Sequence, residues 1–228
     1  LFDIQIAECY IPLKIVQLFC LFKKGIIMKK LITISREFGS GGRELGCRLA
    51  DQLGAAYYDR EIITEISKRT RLSQEYIQGI MDNRPHISFP ITVARSFSMP
   101  GSEVSLQMEL QVFQAQKKII EEMADRSDCV LVGRCAHYIL RDREPFRIFV
   151  YADMDSKIAR CRSRASGNEH LSDREIRHNI EQIDKSRSKY YTFHTEQKWG
   201  EKTNYDLCVN TSRFDVKQLT RMLASFLS

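Results

Sequence analysis

The chain has 228 residues, 43% hydrophobic and 28% charged, with 35 Lys and Arg against 29 Asp and Glu and a net charge of +6. That is one substantial domain of ordinary globular composition, which excludes wholesale disorder and fibrous architectures, and six excess charges do not by themselves mark a nucleic-acid binder. Seven cysteines, an odd number with no C-x-x-C pair, argue against a zinc ribbon or a disulfide framework and fit reduced thiols in the cytoplasm.

Residues 1–27 are apolar-rich and unlike the rest. The run from Ile11 to Phe22 is broken by Lys14 and Gln17 and falls short of the ~20 apolar residues a membrane span requires. Lys23 and Lys24 follow the run, whereas a signal peptide carries its charge in front. Two readings stay open. Met28 is the natural start, preceded by a purine-rich stretch coding for Lys23-Lys24-Gly25 that resembles a bacterial ribosome-binding site. Alternatively, residues 1–27 form an amphipathic helix that packs on the domain or a partner. The domain itself is expected over residues 28–228.

Leu31 to Ser35 reads as a short buried strand. Gly39-Ser40-Gly41-Gly42 is a turn, and Leu45, Leu49 and Leu53 then repeat at helical spacing up to a stop at Gly54. Ala55 to Tyr58 is a second strand. Asp59 either caps the helix Arg60 to Arg69 or faces a ligand. Ser73 opens a short helix through Met81. Residues 82–102 hold three of the five prolines and read as a loop or small insertion. A long helix from Ser102 to Asp125 leads to the strand Cys129 to Gly133. The strand Phe146 to Tyr151 follows, then helices at Asp155–Ser166 and Leu171–Lys189, a last strand Tyr205–Asn210 and a last helix Phe214–Phe226. Strands alternating with helices imply a parallel sheet covered by helices, with ligands beyond the carboxyl ends of the strands. The segments 35–46, 59–60 and 133–135 all fall at such ends.

A strand, a glycine turn and a helix form the arrangement that cradles phosphate on backbone N–H groups. The pattern G-x-x-x-x-G-K-[ST] nevertheless fails here. With Arg43 in the lysine place, the first glycine falls on Glu37. With Gly41 as the second glycine, Gly42 takes the lysine place. Neither register supplies the Ser or Thr that would hold Mg²⁺; Glu44 and Arg43 stand there instead. Arg43 and Arg36 are the candidates for the missing positive charge, gripping phosphate by a fork rather than a point charge.

The stretch ITISREFGSGGRELG, with YYDREII, VLVGRCA and NYDLCVNTS, resembles the cytidylate kinase-like family of the nucleoside-monophosphate kinase clan, over essentially Met28 to Ser228. The resemblance implies an α/β fold of three layers: a five-stranded parallel sheet flanked by helices, an acceptor-binding insertion (60–105) and a helical lid (157–195). It implies ATP and Mg²⁺ as cofactors and γ-phosphoryl transfer to a nucleoside monophosphate, chemistry that rests on positioning and charge neutralisation. Phosphate binding falls to Arg36, Gly39, Ser40, Gly41, Gly42, Arg43 and Glu44. The acceptor falls to Asp59, Arg60, Arg95 and Arg134, and Arg95, Gln114 and Gln116 lie in the segment that should face its base or its phosphate. Arg43, Arg134 and Arg187 are the candidates for neutralising the transferred group. The lid contributes Arg160, Arg164, Arg187 and Lys189. Residues 157–189 hold nine Lys and Arg against five acids, which also fits a solvated basic helix. Cys135 departs from the Asp that cytidylate kinases proper use to read cytosine. Asn210-Thr211-Ser212 lies where relatives approach adenine, or caps the last helix. No protein metal ligands are expected. The partners are small-molecule nucleotides, with no nucleic acid and no membrane. The rival readings are a catalytically weak nucleotide-binding or regulatory protein of the same fold and, last, a nucleic-acid module using residues 157–189.

Overall fold

The structure is a computed structural model that describes residues 30–81, 101–164 and 171–228, with 101–105 as helix backbone alone. The readings for residues 1–27, for Arg95 and the proline-rich stretch, and for the turn between the two lid helices at 165–170 lie outside the described residues.

Five short strands form one all-parallel sheet: β1 (Leu31–Arg36), β2 (Ala56–Tyr58), β3 (Cys129–Val132), β4 (Phe146–Tyr151) and β5 (Leu207–Asn210). Their order is β2-β3-β1-β4-β5, so β1 is central. The helices are α1 (Gly42–Leu53), α2 (Glu61–Thr70), α3 (Gln74–Met81), α4 (Gly101–Arg126), the short α5 (Ala136–Ile139), α6 (Met154–Arg164), α7 (Asp173–Thr195) and α8 (Val216–Leu227). None among the described residues is long and apolar enough to cross a membrane.

Strand alternation splits the core between the two faces. Cys129 and Leu131 of β3 join Ile62, Ile66, Ile119 and Ile120 under α2 and α4, while Val130 and Val132 join Leu45, Leu49 and Leu223 under α1 and α8. A third cluster, Ile158, Ile176 and Ile180 with Phe38, seats α6 and α7 against the end of β1. The expected elements therefore stand, with four differences. The helix expected to end at Lys189 runs on to Thr195, because Tyr190 and Tyr191 are buried and carry its inner face further. A short helix, α5, follows β3 directly. And Asp59 does not cap α2. Arg60 takes the cap position without a side-chain bond, and the Asp59 carboxylate meets two guanidinium groups, which hold it more strongly than a neutral N–H would. The last helix is capped by Asp215, which accepts from the Gln218 amide, and not by residues 210–212.

Beside β1, His137 of α5 is almost fully buried. Its Nε2 lies 2.9 Å from the Tyr191 hydroxyl and its Nδ1 lies 3.4 Å from Ser35 Oγ. Tyr191 donates its own proton to Gln197, so His137 donates from Nε2 and accepts from Ser35 through Nδ1: a neutral imidazole satisfies every bond. Burial, with the nearby Arg147 charge, pushes His137 down to about 4. The unfolded chain, with histidine near 6.5, therefore binds the proton first. The stability is fully present above pH ~6.5 and falls by about 3 kcal/mol as the pH drops toward 4. Melting temperature followed from pH 7.5 to 4.5 should fall less steeply for His137→Gln than for the wild type. Parallel curves would show that this histidine is not held neutral.

Candidate active site

The carboxyl ends of β1, β2 and β3 open into a cavity of about 1380 Å³. That exceeds the roughly 300–1,000 Å³ of a single small-molecule site and has room for two ligands. The turn after β1 forms one wall. Gly39 and Gly41 are left-handed, and α1 starts at the cavity, at Gly42, whose amide donates to Ser40 Oγ at 3.4 Å. Across from it, the turn after β3 carries Arg134. Helices α6 and α7 close the third side.

Arg36 is the centre of this arrangement. Its guanidinium lies over Gly133, where an added Cβ would stand 1.8 Å from Nη1, and its stem lies over Gly42, where a Cβ would stand 2.6 Å from the Arg36 Cβ. Only glycine leaves it that room. Burial and the neighbouring Arg187 push Arg36 down to about 9, with Arg134 adding and Asp59 at 3.6 Å offsetting part. Arg36 stays cationic at neutral pH, and with Arg43, Arg134 and Arg187 it makes four arginines beside two carboxylates, Asp59 and Asp184. An anion is the partner that relieves such a cluster. Arg134 adds a specific vacancy: its Nε is buried without a hydrogen-bond partner, while Nη2 donates to Gln78 at 3.3 Å and Nη1 rests on the Met81 sulfur.

Gly133, Arg134 and Cys135 are left-handed in succession, with φ of 77, 56 and 52°. Gly133→Ala is expected to cost about 1–2 kcal/mol in backbone strain and to displace the Arg36 guanidinium, so that pyrophosphate binding weakens. Thermal melting and calorimetry with pyrophosphate check this; a variant that melts and binds like the wild type would show that Arg36 does not depend on the glycine.

A second cluster fixes the turn from outside. Lys157 of α6, with 7% of its side chain exposed, reaches Glu37 at 2.6 Å and Asp184 of α7 at 3.4 Å. Asp184 accepts the Phe38 N–H at 2.7 Å and lies 3.5 Å from Arg187, whose Nη1 donates to the Arg36 carbonyl at 3.2 Å. Burial pushes the Asp184 carboxyl up, with the Phe38 N–H and the Arg187 and Lys157 charges pulling the other way. Residues 37–38 are thus held by α6 and α7.

Of the expected site residues, Arg36, Gly39, Gly41, Gly42, Arg43, Asp59, Arg60, Arg134, Arg160, Arg164 and Arg187 all line the cavity. Arg43 is bound to Asp59 at 2.8 Å. Arg160 is tied to the Gly39 and Thr211 carbonyls, and Arg164 to Glu44. Three others face elsewhere. Ser40 is fully buried: its hydroxyl donates to the Glu37 carbonyl and its own carbonyl accepts from Thr211. Glu44 lies on the flank of α1, paired with Arg48 as well as Arg164. Lys189 is exposed on α7, outside the cavity lining. Gln114 is exposed, and Gln116 is buried with its amide on the Arg134 carbonyl, so neither faces a base. Cys135 is buried away from the cavity, its thiol pushed up to about 12 by that burial. Asn210, Thr211 and Ser212 bond to one another's surroundings: Asn210 accepts from Ser212, and Ser212 from the Asp153 amide.

Sequence reasoning missed Lys157 and Gln78, and it named Asp184 only beside Arg187, as an echo of the Arg/Asp pattern of a lid. Lys157 had a signal: it falls between Met154 and Cys161 on the face that packs inward, where a lysine must be paired. Gln78 sits in a short helix without any motif.

A model described as the cytidylate kinase-like family matches residues 31–213. The crystal structure of an uncharacterized protein from Eubacterium ventriosum is 25% identical, with a TM-score of 0.63, covering 87% of this chain and 98% of its own. TT1252 from Thermus thermophilus is 12% identical at a TM-score of 0.51, covering 88% and 98%, a likeness of fold alone. Shikimate kinase from Bacteroides thetaiotaomicron is 16% identical at 0.49, covering 86% and 96%. The comparison with curated proteins gives no match.

Proposed function

The chain belongs to the cytidylate kinase-like family, and from that premise we propose that it transfers the γ-phosphoryl group of ATP to a nucleoside monophosphate in the cytoplasm. The observation that carries this is the convergence of Arg36, Arg134 and Arg187 on one cavity beyond the glycine turn, as an over-charged cluster with a spare donor on Arg134. Phosphoryl transfer asks for positioned positive charge around the equatorial oxygens and no covalent or acid–base group. In this reading the glycine turn and the start of α1 hold the ATP phosphates. Arg60, at the rim, and Arg134 hold the acceptor phosphate. Arg43 and Arg187 neutralise the group in transit, and α6 and α7 form the lid that excludes water.

The residues present fit Mg²⁺ in a limited way. Among the described residues no three His, Cys, Asp or Glu gather as a metal site. Glu37 is engaged by Lys157, and Glu175 is engaged by Ser172 at the start of α7. Among the described residues Asp59 stands between the acceptor side and the glycine turn, but it is itself paired with Arg43 at 2.8 Å, so an ion there would be held mainly by phosphate oxygens. Bound there, Mg²⁺ would supply charge neutralisation of the bridging phosphates.

A second reading, a nucleotide-binding protein with little turnover, is favoured by the bond of Asp59 to Arg43 and by the lack of a P-loop lysine. A coupled ADP-release assay with ATP, Mg²⁺ and CMP, dCMP, UMP, AMP or GMP separates the two. Acceptor-dependent turnover supports the kinase; binding without turnover supports the second reading.

A further inference from the structure

We infer that Gln116 and Tyr190 are positioning residues that aim Arg134 at the acceptor and couple its aim to the lid helix α7. The inference rests on the acceptor role proposed for Arg134.

Arg134 is the middle of three consecutive left-handed residues, two of which bear side chains. Such a conformation persists only where its surroundings over-determine it. Two backbone bonds brace its edges: the Gly133 amide donates to the Ile34 carbonyl at 2.8 Å, and the Ala136 amide donates to the Gly133 carbonyl at 3.0 Å. Between them the Arg134 carbonyl turns inward, and the Gln116 amide meets it, Nε2 donating at 3.0 Å.

Gln116 is itself fully buried on α4. Its Oε1 accepts from the Tyr190 hydroxyl at 3.2 Å. The amide therefore has one orientation. Turned over, it would set its oxygen against the Arg134 carbonyl and lose the bond that holds the left-handed turn. Tyr190 is 6% exposed, with Phe113 and His194 edge-on to its ring, so it too has little freedom.

Tyr190 stands on α7 one turn beyond Arg187. One helix thus carries a lining arginine directly and holds the opposite arginine through a chain of two hydrogen bonds. A shift of α7 acts on both sides of the cavity. The chain is uncharged and reaches no ligand, so its role is geometric: it sets where the Arg134 fork points. Nothing in it serves the ATP side, which is built on the turn after β1.

The test compares the wild type with Gln116→Met, Tyr190→Phe and the double variant. KM is measured for the acceptor and for ATP, and calorimetric Kd for the same five monophosphates. The acceptor constant should rise about tenfold in Gln116→Met and about threefold in Tyr190→Phe. The ATP constant should stay within twofold, and the double variant should be no worse than Gln116→Met, because Tyr190 acts through Gln116. A purely structural loss would weaken both constants. Unchanged acceptor constants, an equal rise in both, or additive effects would overturn the inference while leaving the kinase reading intact. If Gln116→Met does not fold, the selective threefold rise in Tyr190→Phe decides alone. A wild-type chain that neither binds nor phosphorylates any of the five monophosphates overturns the proposed function and this inference with it.

Discussion

Lys157→Met should lower the unfolding free energy by about 3–5 kcal/mol, read by urea denaturation at neutral pH. The methionine fills a similar volume, so little packing is lost. What remains is Glu37 and Asp184, two carboxylates now facing each other without the cation that separated them. Asp184 is already pushed up by its burial, and the loss of Lys157 adds to that strain. Restoring balance tests the cause: Lys157→Met with Asp184→Asn removes one of the two charges and should recover part of the loss. A single-variant loss under 1 kcal/mol, or a double variant that is less stable still, would show that the lysine is not the keystone of this cluster. The Phe38 amide, which donates to Asp184, should exchange faster in the single variant because its acceptor is displaced.

The second large effect concerns chemistry. Arg134→Ala should lower acceptor kcat/KM by about 10³-fold, or roughly 4 kcal/mol, with the KM for ATP little changed. Arg134→Lys should recover only a small part. A lysine places one charge where the arginine presents a fork, and the orphaned Nε donor has no counterpart in an ammonium group. Folding should be nearly unaffected, since the left-handed backbone at position 134 is held through its carbonyl and not through its guanidinium. An active enzyme with unchanged acceptor kinetics in Arg134→Ala would take this residue out of the site.

Much of the architecture was legible because the strands are short, apolar and bounded by clear turns. Leu31–Ser35 and Phe146–Tyr151 could hardly be anything else, and Gly54 marks the end of α1 as expected. The sheet order is less so: β1 lies between β3 and β4, a neighbour relation that periodicity does not encode. At the site, residues beyond strand ends were legible by position, hence Arg36, Asp59 and Arg134. Partner choice was not. Asp59 reads as a helix cap in a linear chain, and only the fold brings Arg36 and Arg43 to it. Ser40 sits inside a phosphate-turn motif, yet its hydroxyl is spent on bracing the turn. Gln116 reads as a base contact because it is polar and near, while its burial directs it to a backbone carbonyl. Lys157 and Asp184 lie 27 residues apart and meet Glu37 only once α6 and α7 pack. Long-range pairs of this kind leave no local pattern.

The central place of β1 also sets a timetable for synthesis. Its partners are β3 and β4, paired from Leu31 to Cys129 and from Ile32 to Phe146. Both edges of the first strand therefore stay open until roughly a hundred further residues have left the ribosome, some 5–20 s at ordinary elongation rates. During that interval an apolar strand with two free edges is the segment most in need of cover, and slowing translation before Cys129 should raise the fraction of chains lost to aggregation.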